Sequence, residues 1–248
     1  MLKNIFNFSA ILKITLIPVL LVLSAVTSGV SAADSASVKK ERIGILGAGD
    51  MGGALARHWV NAGYEVMISS RNPAKLETLT KELGKNASAG TALQAARFGN
   101  VIVAAVPFSA LPQLGKDLES DLRGKVVIDI TNPYPYRDGI MAFEAREEGT
   151  GLATQRFLPG TKVVRAFNSI LAENLESMAH RNDPVAIPVA GNDRDAVATV
   201  SRLVRDAGFV PVDAGNLKDS REFDVNTPVY VKVMNETQMR EALKLKGQ

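Results

Sequence analysis

The sequence predicts an α/β fold, with a doubly wound, mostly parallel sheet in a single domain and a short helical C-terminal extension. Two observations support this prediction. Short apolar strands alternate with helical segments along most of the chain, as in a parallel sheet covered by helices on both faces. One strand, Val101–Val106, is apolar throughout, as expected of a central strand that is buried on both faces. A chain of 248 residues has room for one large domain or two small ones.

The first elements follow one another closely. Arg42–Leu46 is predicted to be a buried strand, and Asp50–Asn61 carries apolar residues at helical spacing. Glu65–Ser69 forms the second strand. The next helix is predicted over Pro73–Leu83, with Asn72 as its N-cap and proline at its first position.

The rest of the chain continues the alternation up to residue 215, and residues 216–248 form the extension. Further strands are predicted at Lys125–Ile130, Lys162–Phe167, Val185–Ala190 and Phe209–Asp213. Further helices are predicted at Thr91–Arg97, Ala110–Glu119, Leu171–Ala179, Arg194–Ala207 and Val231–Leu245.

The first 32 residues have the layout of a secretory signal peptide that is cleaved after Ala32. Lys3 and Lys13 precede the apolar run Ile14–Val26, and small residues occupy the positions that signal peptidase reads. The run has 13 residues, fewer than the roughly 20 of a spanning helix. An uncleaved anchor is the alternative, and a polar linker occupies residues 33–41. The prediction is an exported protein, periplasmic or extracellular, or a membrane-anchored one, with a domain on the cytosolic side left open.

The composition excludes several classes of site. The chain has no cysteine, which excludes disulfides, iron–sulfur clusters and thiol nucleophiles. It has only two histidines, His58 and His180, so a three-histidine metal site is impossible. Its net charge of +3 is too small to indicate a nucleic-acid partner. We therefore expect neither a bound metal nor a nucleic acid.

A glycine motif gives the clearest functional indication. Residues 43–53, IGILGAGDMGG, contain G-x-G-x-x-G directly after a strand and at the start of a helix, which is the context the motif requires. Gly47 permits the tight turn, and Gly49 lets the backbone approach a pyrophosphate. Gly52 lets the helix pack close to the sheet, and the helix N-terminus faces the phosphates. The motif predicts a Rossmann-type dinucleotide site.

The end of the second strand indicates which dinucleotide is bound. NAD sites place Asp or Glu about 20 residues beyond the motif, where it binds the ribose hydroxyls. This chain has Ser69, Ser70 and Arg71 there, with Lys75 one helical turn further on. A guanidinium can form a charge-assisted hydrogen bond with a 2′-phosphate. The sequence therefore favours NADP(H) over NAD(H).

These residues and several later motifs resemble the NADP-dependent deazaflavin (coenzyme F420) oxidoreductase family. The similarity spans about residues 42–223 and extends to the reductase domain of the six-transmembrane STEAP metalloreductases. The serine–arginine step, an Asn-Pro after the strand Lys125–Ile130 and an Asp-Ala-Gly turn occur in the same order. Residues 219–248 follow the family only in part. The matching segments are Ile43–Lys75, Val103–Pro107, Val127–Pro133, Val163–Asn168, Ala190–Asp193 and Gly208–Leu217.

The resemblance implies roles by position. One group would wrap the pyrophosphate, a second would hold the 2′-phosphate, a third would border the ribose and nicotinamide, and a fourth would line the nicotinamide side where the acceptor stacks. In such enzymes the hydride passes directly between two rings, so no catalytic acid or base is assigned. The pyrophosphate would be wrapped by Gly47, Ala48, Gly49, Asp50, Met51 and Gly52. The 2′-phosphate would be held by Ser70, Arg71 and Lys75, and the ribose and nicotinamide would be bordered by Val106 and Pro107. The nicotinamide side would be lined by Asn132, Pro133, Ala166 and Asn168.

Other polar residues are assigned more cautiously. His58 and His180 are expected to be structural, and Glu144–Glu148 is expected to be a solvated face. Asp129, at the end of a strand, orients either a loop or a substrate. Tyr134-Pro135-Tyr136 either covers the acceptor pocket or only packs the loop.

Three functional interpretations remain open. The favoured one is a reductase that transfers a hydride between NADP(H) and a flavin, a deazaflavin or another soluble acceptor. A second is a nucleotide-binding sensor or redox subunit without turnover, because fold alone does not establish catalysis. A third is a pyrroline-carboxylate or β-hydroxyacid type reductase, disfavoured because only 35 residues follow Asp213. A homodimer is compatible with each, and membrane contact is expected only through an uncleaved N-terminal segment.

Overall fold

The computed structural model of the protein describes residues 40–245. The predicted signal peptide or anchor, all but the last two residues of the predicted linker, and residues 246–248 lie outside this range. Within it, eight strands form one sheet. The strands are β1 (Arg42–Leu46), β2 (Glu65–Ser69), β3 (Ala87–Gly90), β4 (Val101–Ala104), β5 (Val126–Asp129), β6 (Lys162–Arg165), β7 (Ala186–Gly191) and β8 (Val210–Asp213).

The sheet has the order β3-β2-β1-β4-β5-β6-β7-β8. The strands are parallel except for β7, which pairs with β6 in the antiparallel sense, and β8 runs parallel to β7. The chain reverses its direction across the sheet at β1, which lies between β2 and β4. Ligands of doubly wound sheets bind at such a switch point, outside the carboxyl ends of the strands.

Helices cover both faces of the sheet. One core packs β1, β2 and β4 against Trp59 and Val200, and the other packs the opposite face of β1 and β4 against Ala95, Leu111 and Ala153. The α-helices are α1 (Asp50–Asn61), α2 (Glu77–Leu83), α3 (Ala92–Phe98), α4 (Leu111–Asp117), α5 (Glu119–Leu122), α6 (Pro135–Asp138), α7 (Ile140–Glu148), α8 (Thr150–Phe157), α9 (Ala172–Ser177), α10 (Arg194–Asp206) and α11 (Glu236–Ala242), and short 3-10 helices occupy Pro73–Leu76, Phe108–Ala110 and Leu217–Phe223.

The predicted fold class is confirmed, and the bounds of β1, α1 and β2 are as predicted. Other elements differ from the prediction. The strand β3 was not predicted because its sequence, ASAG, has low strand propensity. The helices α6, α7 and α8 were not predicted either, since their apolar pattern is weak. Asn72 gives no side-chain cap, and the turn it precedes is 3-10.

The C-terminal residues 216–245 pack on the sheet. The 3-10 helix Leu217–Phe223 contacts β6, β7 and α8, and Phe223, Val229 and Met239 are buried with residues of β7 and β8. The last helix is shorter than the predicted Val231–Leu245, because Asn235 caps its first turn. No helix within residues 40–245 is both long and apolar enough to cross a membrane.

Candidate functional site

The glycine turn is held in shape by the neighbouring strands. It links β1 to α1, and Gly47 has a φ of 108°, a left-handed conformation that favours glycine. A Cβ atom on Gly47 would lie 2.2 Å from the carbonyl oxygen of Ala105, just beyond β4. The Gly47 amide donates to Oγ of Ser69, at the end of β2, over 3.3 Å. The turn is therefore fixed by contacts within the protein.

Two further glycines of the motif have different surroundings. A Cβ on Gly52 would lie 2.5 Å from the carbonyl oxygen of Gly47, so the helix could not pack as closely. A Cβ on Gly49 would meet no protein atom within 4 Å. The folded chain alone therefore does not require a glycine at position 49. Close approach of a ligand to the backbone gives the position a physical reason.

The N-terminus of α1 is available to an anion. The helix has twelve residues, begins at Asp50 and has no side-chain cap at Gly49. The first backbone amides of a helix have no partner within the helix, and they carry the positive end of its dipole. Ala48 and Met51 are half-buried, and Asp50 is exposed. This end of α1 provides the amide donors that a pyrophosphate needs.

Two cations lie beyond the end of β2. Leu46 pairs with Ser69, so the chain beyond β2 leaves the sheet beside the glycine turn. Arg71 and Lys75 are exposed there, and neither forms a salt bridge with any residue between 40 and 245. The Ser70 hydroxyl accepts the amide of Asn72 over 3.1 Å. A phosphate at this position would find two cations and a hydroxyl.

Val106 and Pro107 border the same turn. The Ala105 amide donates to the carbonyl oxygen of Leu46 over 2.9 Å. This hydrogen bond extends the pairing of β4 with β1 one residue beyond the end of β4. Val106 is half-buried, with a methyl group 3.3 Å from the Cβ position of Gly47. Pro107 is exposed. The two residues therefore form an apolar edge of the glycine turn.

A buried ion network ties the ends of β5 and β6 together. Arg165 is fully buried and donates to Oδ2 of Asp129 over 2.8 Å and to Oδ1 of Asp224 over 2.6 Å. It also donates to the carbonyl oxygen of Thr131 over 2.8 Å. Burial by itself would lower the pKa of Arg165, but the two carboxylates outweigh it and raise that pKa. The guanidinium stays charged and holds three segments together.

Asp129 has a structural role in this network. Its Oδ1 accepts the amide of Thr131 over 2.9 Å and the hydroxyl of Thr131 over 2.7 Å, while its Oδ2 accepts from Arg165. Both carboxylate oxygens are thus used within the protein. Of the two roles left open for Asp129, the geometry favours orienting the loop after β5.

The loops after β5 and β6 contact each other through Asn132. Its Nδ2 donates to the carbonyl oxygen of Asn168 over 2.7 Å. Arg165 Nη2 lies 3.4 Å from Asn132 Oδ1. Pro133 is fixed through its carbonyl oxygen, which accepts from Arg146 over 2.8 and 3.0 Å. Arg146 therefore does not belong to a fully solvated face, unlike the exposed Glu144, Glu147 and Glu148.

Ala166 and Asn168 are buried. Phe167, between them, has a φ of 60° and packs edge-on against Trp59 at a centroid distance of 6.1 Å. The Asn168 side chain donates through Nδ2 to the carbonyl oxygen of Phe223 over 3.0 Å. Its Oδ1 is buried and has no hydrogen-bond partner among the residues that the structure describes. Asn168 therefore also anchors the C-terminal segment.

The sequence reasoning did not identify four residues at this edge. These residues are Arg146, Arg165, Asp224 and Tyr230, and the last two lie in the extension. One signal was present, because an arginine inside an apolar run such as KVVRAF is unusual and must be paired when buried. The partners themselves could not be identified from sequence, since Asp129 and Asp224 lie 36 and 59 residues from Arg165.

The two histidines have structural surroundings. His58 Nε2 lies 2.7 Å from the carbonyl oxygen of Leu175, which joins α1 to α9. Burial lowers the pKa of His58 despite that contact. His180 has a φ of 58°, and its amide donates to the carbonyl oxygen of Gly208 over 2.9 Å.

A wide cavity lies elsewhere. It has a volume of about 600 Å³ and is lined by Arg194, Asp213, Glu222 and Arg240, among others. Because β7 and β8 run opposite to the other strands, Asp213, the last residue of β8, lies at the edge of the sheet opposite to the glycine turn. The Arg194 and Asp213 side chains already pair with each other. The candidate site is therefore the carboxyl edge of β1, β2, β4, β5 and β6.

Comparison with known proteins gives consistent results. Residues 42–133 match the family described as NADP oxidoreductase coenzyme F420-dependent. The F420-dependent NADP reductase of Methanothermobacter marburgensis is 29% identical over 215 residues, which cover 81% of this chain and 96% of that protein. A solved structure of a hypothetical protein from Sinorhizobium meliloti has a TM-score of 0.69 at 28% identity, covering 79% of this chain and 96% of that one.

A metalloreductase is similar over part of its length. Metalloreductase STEAP3 of Rattus norvegicus is 31% identical over 191 residues, covering 76% of this chain. The match takes in only 37% of that relative, so this chain spans little more than a third of it. The family match over residues 42–133 includes the glycine turn and the serine–arginine step. The chain thus resembles the coenzyme F420-dependent NADP oxidoreductase family in residues 42–133, and it resembles an F420-dependent NADP reductase over 81% of its length.

Proposed function

We propose that the protein transfers a hydride between NADP(H) and a soluble acceptor, a flavin or a deazaflavin of the coenzyme F420 type. The relatives support an NADP-dependent oxidoreductase, and the proposal concerns the acceptor and the residues that bind the nucleotide. The open space at Gly49, beside the uncapped N-terminus of α1, is the observation that carries the proposal. The fold by itself does not require a glycine there.

The chain's own groups bind and orient the nucleotide. The α1 amides would bind the pyrophosphate, and Arg71, Lys75 and Ser70 would bind the 2′-phosphate. The loops held by Arg165 would orient the nicotinamide side. When bound, NADPH supplies a hydride from C4 of its reduced ring, and a flavin acceptor takes that hydride on a ring nitrogen and a proton from solvent. Orientation and exclusion of water are then the protein's contribution.

The test is a calorimetric titration of the protein with NADPH and with NADH. We expect at least about tenfold tighter binding of NADPH, or about 1.4 kcal/mol. Arg71→Glu should abolish that preference. Lys85→Glu is the matched control, because Lys85 is exposed, undergoes the same change of charge and precedes β3 at the opposite edge of the sheet.

Three outcomes are informative. An NADPH preference unchanged in Arg71→Glu, or lost equally in Lys85→Glu, would refute the 2′-phosphate assignment. Absence of binding by either nucleotide would refute the proposed site. Tight NADPH binding without reduction of flavin or coenzyme F420 would favour a nucleotide-binding subunit that lacks turnover.

A further inference from the structure

Two tyrosine hydroxyls meet at the carboxyl edge of the sheet. Tyr134 follows β5 and Tyr230 lies in the C-terminal extension, and their hydroxyl groups form a hydrogen bond across 96 residues of sequence. Both side chains are half-buried. Burial and the bond to Tyr134 raise the pKa of Tyr230 above its ordinary value, so this hydroxyl keeps its proton at neutral pH. The pair is thus a polar group within the proposed site.

The extension is held in place by contacts on both sides of Tyr230. Asp224 forms the buried ion pair with Arg165, and the carbonyl oxygen of Phe223 accepts from Asn168. The Val231 amide donates to the carbonyl oxygen of Ser169 over 2.9 Å. Tyr230 is therefore fixed to the loop after β6 from either side, and its hydroxyl has a defined position.

The tyrosine pair has one hydroxyl proton more than its shared hydrogen bond uses. Arg165 can only donate hydrogen bonds, so the atom of the Asn132 amide that faces it is the acceptor Oδ1. The donor Nδ2 of Asn132 therefore faces the Asn168 carbonyl oxygen. The same Nδ2 lies 3.5 Å from the Tyr230 hydroxyl oxygen and can only donate to it. The two tyrosines share one hydrogen bond, and either oxygen can be its donor. When Tyr230 donates, the Tyr134 proton has no acceptor among residues 40–245.

The ring of Tyr134 lies beside an open surface. It stacks on the ring of Tyr136 with a centroid distance of 5.4 Å and an interplanar angle of 20°. Tyr136 is 85% exposed, and Ile140 and Phe143 are also exposed next to it in sequence. The Tyr134 hydroxyl therefore belongs to a residue at the border between the loop after β5 and an apolar, accessible surface.

We propose, on the basis of the proposed function, that Tyr134 donates a hydrogen bond to a carbonyl oxygen of the hydride acceptor, and that Tyr230 and Asn132 are positioning residues for it. The acceptor class is a planar conjugated ring system in which one ring carbon separates a carbonyl group from the hydride-accepting atom. Tyr134 then contributes to the choice of acceptor. The glycine turn and the phosphate site contribute only to the binding of the nucleotide.

The experiment compares three phenylalanine variants of the protein. Tyr134→Phe and Tyr230→Phe each remove one hydroxyl, and Tyr136→Phe is the matched control because its hydroxyl has no hydrogen bond among the described residues. Riboflavin is the probe, titrated by quenching of its fluorescence in the presence of saturating NADP+. The affinity for NADPH is measured separately by calorimetry, and urea unfolding checks that each variant is folded.

We expect riboflavin to bind about fivefold to tenfold more weakly to Tyr134→Phe, the loss expected of one hydrogen bond. Tyr230→Phe should show a smaller loss in the same direction. The Tyr136→Phe variant should bind riboflavin like the wild type, and all three should keep the wild-type affinity for NADPH. Riboflavin lacks the phosphate and tail of larger flavin acceptors, so the measurement isolates contacts to the ring.

Other results would overturn the inference. Riboflavin affinity in Tyr134→Phe within twofold of the wild type would do so, as would an equal loss in Tyr136→Phe. A weaker affinity for NADPH in Tyr134→Phe would assign the hydroxyl to the nicotinamide instead. Wild-type protein that binds NADPH but not riboflavin would refute this inference and leave the nucleotide site standing. Wild-type protein that does not bind NADPH would refute the proposed function as well.

Discussion

Replacement of Gly49 by alanine separates nucleotide binding from folding in this protein. Gly49 has a φ of −77° and a ψ of −176°, an extended conformation that alanine adopts readily. The added methyl group would contact no protein atom within 4 Å. It would project instead into the space where a pyrophosphate approaches the backbone. The variant should therefore fold and fail to bind NADPH.

The two effects differ in size. Alanine is a poorer N-cap than glycine, so Gly49→Ala should lower the free energy of unfolding by about 1 kcal/mol. A domain stabilised by about 5–15 kcal/mol stays folded after such a loss. Loss of the close approach should weaken NADPH binding at least about 100-fold, which corresponds to roughly 2.7 kcal/mol. Gly52→Ala should instead destabilise the fold, because its methyl group would lie 2.5 Å from the Gly47 carbonyl oxygen.

The assay pairs calorimetric NADPH titration with urea unfolding. Gly53→Ala is the matched control, since a Cβ there also meets no atom within 4 Å but lies inside α1. That variant should gain up to about 1 kcal/mol of stability, because alanine is the better helix former, and it should keep its affinity for NADPH. Gly49→Ala that binds NADPH within threefold of the wild type would refute the reasoning, as would an equal loss in Gly53→Ala.

Two other predictions concern ion pairs that involve buried carboxylates. Arg165→Met should lower the free energy of unfolding by about 3–5 kcal/mol in urea titrations, because it leaves two carboxylates without their cation; a loss below about 1 kcal/mol would contradict this. Burial would raise the pKa of Asp138, but hydrogen bonds from Arg137 and from the backbone amides of Tyr134 and Ser109 outweigh it and lower that pKa. Asp138→Asn should therefore lower the free energy of unfolding by about 2 kcal/mol at pH values above the unfolded-state pKa of Asp138, which is about 4. This difference should disappear as pH falls through the lower pKa that Asp138 has in the folded state. Unfolding of both proteins at pH 7 and pH 3 measures it, and a difference that does not change with pH would contradict the assignment.

The part of the fold that depends on local sequence was predictable. The strand β1, the glycine turn, α1 and β2 are adjacent in sequence, and their bounds follow from apolar periodicity and glycine positions. Elements with weak patterns were missed. The strand β3 pairs with β2 through the small residues Ala87–Gly90, and its pairing depends on the position of β2 rather than on its own propensity.

The nucleotide side of the candidate site was predicted in the same way. Gly49, Arg71 and Lys75 lie within 27 residues of one another, and their roles follow from the strand–turn–helix order. These assignments remain predictions that the titrations will test. The structure adds that the surrounding protein requires Gly47 and Gly52 to be glycine but does not require it of Gly49.

The acceptor side was decided by the tertiary structure. Arg165 meets Asp224 across 59 residues of sequence, and Tyr134 meets Tyr230 across 96. No local pattern records such contacts, because they form only when the extension folds back over the ends of β5 and β6. Local chain geometry thus determined the glycine turn, whereas long-range packing of charged and hydroxyl groups determined the arrangement at the ends of β5 and β6.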